Sequence, residues 1–284
     1  MELTDLRIFL SIAEQGTISR AAEQLGYVQS NVTARLRKLE EELGTSLFRR
    51  LPKGVELTER GNAFREYAVQ IVRLAEDAVD AVREPDMPGG NLRIGVVETV
   101  TCGNFMGILS AFQQQYPQVA LSLVTGQSPE LLEQVLDYRL DGAFLSGDPA
   151  SAGLSVEYEQ QDELKWLSQS EAGRTLELSG LTWAVSPRGC PYRAVLEKWL
   201  HSEGVEIRQL IEVSSLETLL SCVRSGLAST LLPASVLQGG YESLRAVSIP
   251  EGYRHAAVRL VRRECRFAPA AFRAFAEMVR ARGL

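Results

Sequence analysis

Residues 17 to 43 read Thr17-Ile-Ser-Arg-Ala-Ala-Glu-Gln-Leu-Gly-Tyr-Val-Gln-Ser-Asn-Val-Thr-Ala-Arg-Leu-Arg-Lys-Leu-Glu-Glu-Glu-Leu43, and two apolar stripes run through them. Ile18, Ala21, Ala22 and Leu25 recur at helical spacing, Val32, Leu36, Leu39 and Leu43 do so again, and Gly26 separates the sets. The spacing predicts a helix, a tight turn and a second helix. At about 100° per residue from Val32, the face opposite the second stripe carries Ser30, Thr33, Ala34 and Arg37, flanked by Gln29 and Arg35. Small residues let a helix approach a wall closely, hydroxyl and amide groups match base edges, and arginines serve bases and phosphates alike. The second helix therefore reads as a recognition helix for a major groove. An amphipathic pair with a merely solvated face is common, so the reading leans on the residues beyond the second helix.

After Leu43 come Gly44, the apolar pair Leu47-Phe48, and Arg49-Arg50-Leu51-Pro52-Lys53-Gly54-Val55-Glu56-Leu57-Thr58. Two short extended runs around Pro52 and Gly54 predict a hairpin whose tip offers Arg50 and Lys53 to phosphates or a minor groove. Residues 1–58 thus read as a winged helix-turn-helix. Between Arg35 and Lys53 there are six cations and three anions, on a chain of formal net charge −6. An acidic body with a basic tip fits site-specific DNA binding better than non-specific coating.

These residues give the stretch a resemblance to the DNA-binding domain of the LysR-type transcriptional regulators. The matches are Leu6, Phe9 and Ala13, then Ala21, Ala22 and Leu25, then Gln29, Val32 and Thr33, and onward Leu39-Glu40, Leu43-Gly44, Leu47-Phe48-Arg49, Leu57-Thr58 and Gly61. The chain departs from the family pattern at Val28, where a serine commonly precedes Gln29, and at Ala34, which precedes Arg35 where the family often has an arginine. An alanine donates no hydrogen bond but can touch a thymine methyl.

Residues 59–84 predict one long linker helix. Phe64, Tyr67, Ile71, Leu74, Ala78 and Ala81 are spaced as the seam of a two-stranded coiled coil, which makes Phe64, Tyr67, Ile71, Leu74 and Ala78 candidate dimerisation residues. Resemblance to the family implies a homodimer on a two-fold DNA operator and further pairing into a homotetramer.

Two prolines and two glycines in residues 85–90 mark a hinge. Beyond it, extended and helical signals alternate through Leu92–Val97, Phe105–Gln115, Val119–Val124, Pro129–Tyr138 and Gly142–Leu145. They alternate again from Leu181–Val185 to Ser229–Leu232. Such alternation predicts α/β architecture with a parallel sheet. The half resembles the family's effector-binding region, which is built in two lobes like a periplasmic solute-binding protein. The runs that carry this resemblance are Leu92 to Gly95, Phe112 to Pro117 and Gly226 to Pro233. The expected division is lobe I at 91–160 plus 266–284 and lobe II at 161–265, so that the last helix returns to lobe I.

Open α/β sheets bind ligands beyond the C-terminal ends of their strands. That rule selects Thr99, Thr101, Gln127, Ser128 and Ser146 in the first lobe, and Arg188, Cys190 and Ser214 in the second, as a candidate site for a small polar or anionic effector. The four cysteines, Cys102, Cys190, Cys222 and Cys265, form no C-x-x-C pair, so no metal site is expected. Cys190, before Pro191 at a helix start, is the candidate thiol if the chain senses oxidants instead. No nucleophile motif, P-loop or dinucleotide fingerprint accompanies the two histidines, and no catalytic residue or cofactor is assigned. The N-terminus lacks a basic segment or apolar run, and no stretch approaches about 20 apolar residues. A cytoplasmic protein without membrane association is therefore expected. A solute carrier or enzyme on the same fold is the rival reading, and the winged N-terminus counts against it.

Overall fold

A computed structural model describes residues 1–82, 87–148, 153–169, 178–241, 243–264 and 267–284. The chain forms two compact units, Met1–Glu84 with Asp137–Arg139, and the remainder.

In the first unit, α1 (Leu3–Gln15), α2 (Ile18–Leu25) and α3 (Gln29–Leu43) are followed by the hairpin of β1 (Phe48–Leu51) and β2 (Gly54–Leu57), then by α4 (Glu59–Val82). Local chemistry sets the ends. Glu2 and Asp5 close a reciprocal cap on α1, and Thr17 accepts the Arg20 N–H at the start of α2. Leu6, Phe9, Ile12, Ala21, Ala22, Val32, Leu36 and Leu39 are buried together, as the two stripes require. Leu43, the last member of its stripe, is instead exposed at the helix end. Phe9 stands at the centre, with ring centroids 5.3 Å from Phe48 and 5.0 Å from Phe64. Glu40 accepts the backbone N–H groups of Leu47 and Phe48, so the recognition helix itself fixes where the hairpin begins.

Two glycines are required by close approach. At Gly54, with φ +135°, a Cβ would stand 2.3 Å from the Gly16 carbonyl oxygen, which already accepts the Val55 N–H. At Gly61 a Cβ would stand 2.1 Å from the Leu47 carbonyl oxygen.

The second unit begins with β3 (Gly90–Val96), α5 (Phe105–Gln115), β4 (Val119–Thr125), α6 (Ser128–Leu136), β5 (Gly142–Ser146) and the long β6 (Leu154–Ser168). It continues with β7 (Thr182–Val185), α7 (Pro191–Ser202), β8 (Gln209–Glu212), α8 (Leu216–Arg224), β9 (Thr230–Pro233), β10 (Arg245–Ser248), β11 (His255–Arg263) and α9 (Ala270–Arg282). Parallel β3, β4 and β5 are joined by antiparallel β11 and β6 in lobe I, while β9 and β10 flank the far end of β6 in lobe II. Parallel β7 and β8 join lobe II through a bridge from Trp183 to Ser229. Phe105, Phe112, Phe144, Phe272 and Phe275 fill the lobe I core, and α9 returns there. Trp166, Trp183 and Trp199 fill that of lobe II.

The expectation missed β6, β10 and β11. The first two-thirds of β6 carries Glu157, Glu159 and Glu163, which answer Arg262, Arg259 and Arg254 on or beside β11, so the strand looks like polar surface in sequence. The lobe boundary moves with β11. Ala256 packs against lobe II, but Val258, Leu260 and Val261 lie in the lobe I core, so the return crossing falls near residue 257 and not at 265. Of the expected hinge, Pro85 and Asp86 lie outside the described residues, and β3 already starts at Gly90.

Gly61→Ala is expected to destabilise the first unit by about 1–3 kcal/mol, because the Leu47 backbone must yield. An unchanged unfolding midpoint in urea would contradict that reading of the contact.

Candidate functional site

The face of α3 away from the core is bare. Gln29, Ser30, Ala34 and Arg37 are exposed, and so are Arg50 and Lys53 at the hairpin. Val28 supplies no side-chain cap, and Thr33, half-buried, donates to the Gln29 carbonyl at 2.9 Å. Arg37 pairs with Glu41 at 2.8 Å, both side chains being well exposed. Such pairs are worth only a few tenths of a kcal/mol, so Arg37 can exchange Glu41 for a DNA group at little cost. Arg50 and Lys53 have no ion pair among the described residues, whereas Arg49 is held by Glu56 across the hairpin.

Arg35 plays a different part from the one its helical position suggests. Its guanidinium bonds Asp5 at 2.8 Å and Glu2 at 3.2 Å, and Asp5 is only 2% exposed. Arg35 thus clamps α3 to the start of α1 and is a positioning residue rather than part of the open face. Burial pushes the Asp5 carboxyl up, but the Glu2 N–H and the Arg35 guanidinium outweigh it and hold the group below its ordinary 3.8.

On α4, Tyr67, Ile71, Leu74 and Ala78 form an exposed stripe, Tyr67 being 65% and Leu74 58% exposed. Phe64 does not belong to it. Its ring lies edge-on to Phe9, and with Ala68 and Val72 it makes the inward face of the helix. The side chain of Ala81 lies outside those described.

In the second unit, a cavity of about 340 Å³ opens between the lobes. Thr99, Gln127, Ser128, Ser146, Cys190 and Ser214 line it together, with Glu98, Glu130, Thr125, Ser186 and Tyr192. The strand-end rule therefore brings six of the eight candidates to one place. Thr101 turns back to donate to the Glu98 carbonyl at 2.7 Å, and Arg188, exposed, faces a separate surface depression on α7. Without a lining arginine or lysine among the described residues, the anionic half of the effector expectation loses its counter-charge.

Two residues that sequence reasoning did not assign organise this cavity. Tyr192, on α7 and 5% exposed, bonds Ser146 at 2.7 Å and Thr99 at 3.4 Å across the lobes. Burial pushes its phenol up to about 12, and the bonds to Ser146 and Thr99 only partly oppose this, so the hydroxyl stays neutral. Glu98, just after β3, accepts the Leu216 N–H at the start of α8 at 2.7 Å, again across the lobes. Tyr192 reads in sequence as one apolar position of an amphipathic helix. Glu98 stood in the strand-end stretch, but only its partner in the other lobe gives it a role.

Cys190 sits at the α7 cap before Pro191, half-buried at the cavity wall. Cys102 packs against lobe II, and burial pushes its thiol up, which disfavours a reactive thiolate. Cys222 also packs against lobe II, and Cys265 lies outside the described residues. Among the described residues no helix is long and apolar enough to cross a membrane.

Residues 3–62 match the family described as bacterial regulatory helix-turn-helix protein, lysR family, and residues 85–283 match the LysR substrate binding domain. The chain is 38% identical over 282 residues to the HTH-type transcriptional regulator CzcR of Bacillus anthracis, covering 98% of this chain and 97% of that protein. The chain belongs to the LysR family. It is a DNA-binding transcriptional regulator, not an enzyme. It is also 37% identical to the HTH-type transcriptional regulator SoxR of an Arthrobacter species, over 99% of this chain and 97% of that protein. Among solved structures, full-length CbnR complexed with its target DNA is similar at a TM-score of 0.69 and 25% identity, covering 99% of each chain. A full-length OxyR variant from Pseudomonas aeruginosa shares the fold at a TM-score of 0.77 and 21% identity, covering 99% of this chain and 95% of that one.

For this LysR-family chain, Arg37→Ala is expected to weaken operator binding by about 1–3 kcal/mol if the side chain reaches a base, without changing the unfolding midpoint. Equal operator affinity at matched salt would remove Arg37 from the contact surface. Asp5→Asn is expected to destabilise the first unit at pH 7. Because the Asp5 carboxyl is held low, its contribution is complete above its unfolded value and fades as pH falls through the folded one. The gap between variant and wild type in urea melts should therefore narrow below about pH 4; a gap that is constant down to pH 3 would refute the ion-pair account.

Proposed function

We propose that this LysR-family regulator works as a homodimer in which residues 1–58 read DNA, residues 59–84 join the copies, residues 85–90 act as a hinge and residues 91–284 hold a small polar effector between two lobes. The observation that carries the DNA-reading assignment is the open face of α3, with Gln29, Ser30, Ala34 and Arg37 exposed while Val32, Leu36 and Leu39 are buried beneath them. Thr33 supports that face from its edge. Arg50 and Lys53, unpaired among the described residues, supply phosphate contacts from the hairpin.

The exposed stripe of Tyr67, Ile71, Leu74 and Ala78 supports dimerisation, since an apolar row at this spacing on a long helix is the seam of a helix pair. Pairing two heads suits an operator with two-fold symmetry, and pairing of dimers would extend the contact. CbnR, similar along its full length, has been solved with its target DNA.

The cavity lined by both lobes supports effector control. Its size falls at the lower end of small-molecule pockets. An effector that binds one lobe arrangement more tightly than the other shifts the population between them, and with it the spacing of the heads; a ligand of equal affinity for both would change nothing.

Leu74→Asp tests the dimer directly. Sedimentation of the full chain is expected to show loss of the helix-paired dimer, and affinity for a two-fold operator should fall about a hundredfold as the second head stops contributing. A variant that sediments and binds like the wild type would overturn the seam.

A further inference from the structure

The charge around the inter-lobe cavity points to the kind of effector it takes. Three helices, α6, α7 and α8, begin at its wall, and a helix N-terminus carries about half a positive charge. Such a ring of helix starts ordinarily suits an anion. Here the chain's own carboxylates already occupy two of the three. Glu98 Oε2 accepts the Leu216 N–H of α8 at 2.7 Å, and Glu130 Oε2 reaches back to the Gln127 N–H before α6 at 3.4 Å. At the third, Pro191 takes the first helical position and removes one of the free N–H groups of that helix start. The nearest cation of α7, Arg193, is bound to Glu197 and Glu212.

What remains facing the cavity is two carboxylates, a set of hydroxyls and an apolar wall that includes Val97, Pro187 and Leu232. An incoming carboxylate would meet two like charges and, among the described residues, no cation. A protonated amine would meet Glu98, whose Oε1 accepts no bond among the described residues.

We propose that the effector of this regulator carries a protonated amine on a small, partly apolar body, and that the amine binds Glu98. The inference rests on the cavity being the effector site. Glu98 follows β3 of lobe I while its bond partner opens α8 of lobe II, so the residue that holds the ligand is also one of those that tie the lobes. An amine on Oε1 leaves the Leu216 bond in place. The ligand then adds to lobe closure and does not compete with it, which gives it the differential affinity that a switch needs.

The test uses the full-length protein and three matched pairs of probes at millimolar concentration: butylamine with butyrate, ethanolamine with glycolate, and putrescine with succinate. Binding is measured by titration calorimetry on the wild type, on Glu98→Gln, which keeps an acceptor for the Leu216 N–H but loses the charge, and on Ser214→Trp, which fills the cavity. At least one amine is expected to bind while its matched carboxylate does not. Glu98→Gln should weaken that amine about tenfold or more, and Ser214→Trp should abolish its binding. Melting of each variant without ligand distinguishes lost binding from lost fold. Carboxylates that bind the wild type and are lost in Ser214→Trp would overturn the amine class and keep the cavity as the site. Amine binding that survives Glu98→Gln would overturn the assignment to Glu98. Failure of all three amines to bind would overturn the amine class, while the effector reading of the cavity is decided separately, by whether its filling in Ser214→Trp changes the operator footprint of the full-length protein.

Discussion

A helix that reads DNA must be held by one side only. On the proposed reading that constraint falls on α3, which buries Val32, Leu36 and Leu39 and leaves Gln29, Ser30, Ala34 and Arg37 uncovered. Three buried apolar side chains fix the helix's depth but leave its rotation and slide loosely set. Polar contacts supply the rest. Arg35 is tied to Asp5 and Glu2 at one end of α1, and Glu40 holds the Leu47 and Phe48 N–H groups at the other end of α3, so both the orientation of the face and the start of the hairpin are defined from the same helix. Close backbone contacts at Gly54 and Gly61 then seat the hairpin and α4 against the three-helix core. A rigid head is what makes a few exposed side chains able to discriminate between base sequences.

The effector unit meets a comparable requirement by other means. Two α/β lobes are joined by β6 and β11, strands whose length lets each serve two sheets or cores, and their cross-strand ion pairs help hold the register. Between the lobes, Cys102 packs against the lobe II core, and polar bonds add to that contact. The bonds made by Tyr192 and Glu98 cross the gap at specific atoms without filling it. A cavity bounded in this way can change shape as the lobes move while each lobe keeps its own core.

How much of this was legible in the sequence depends on which forces wrote it. Apolar periodicity marked α2, α3 and α4 and most strands and helices of both lobes, because burial imposes its spacing on local sequence, while α1 came only through the family resemblance. Long-range electrostatics leaves no such trace. Arg35 looks like a member of the open face until Asp5, thirty positions away, is placed beside it. Phe64 fits a coiled-coil seam by spacing, yet belongs to the head's own core because Phe9 offers it a ring. The first part of β6 was missed because Glu157, Glu159 and Glu163, paired with arginines on or beside β11, give it the look of polar surface. The strand-end rule found the cavity and six of the effector candidates that line it; Glu98 stood in its first stretch without a role and Tyr192 outside it, because the roles of both exist only across the lobes.

The measurement that tests the account most directly is a nuclease footprint of the full-length protein on the DNA upstream of its own gene, titrated with small amines and carboxylates. The account predicts a compact, sequence-specific footprint with two related half-sites, whose extent or affinity changes with a ligand of the inter-lobe cavity. A specific footprint that stays the same under every ligand bound in that cavity would contradict the coupling between cavity and reading head on which the account depends.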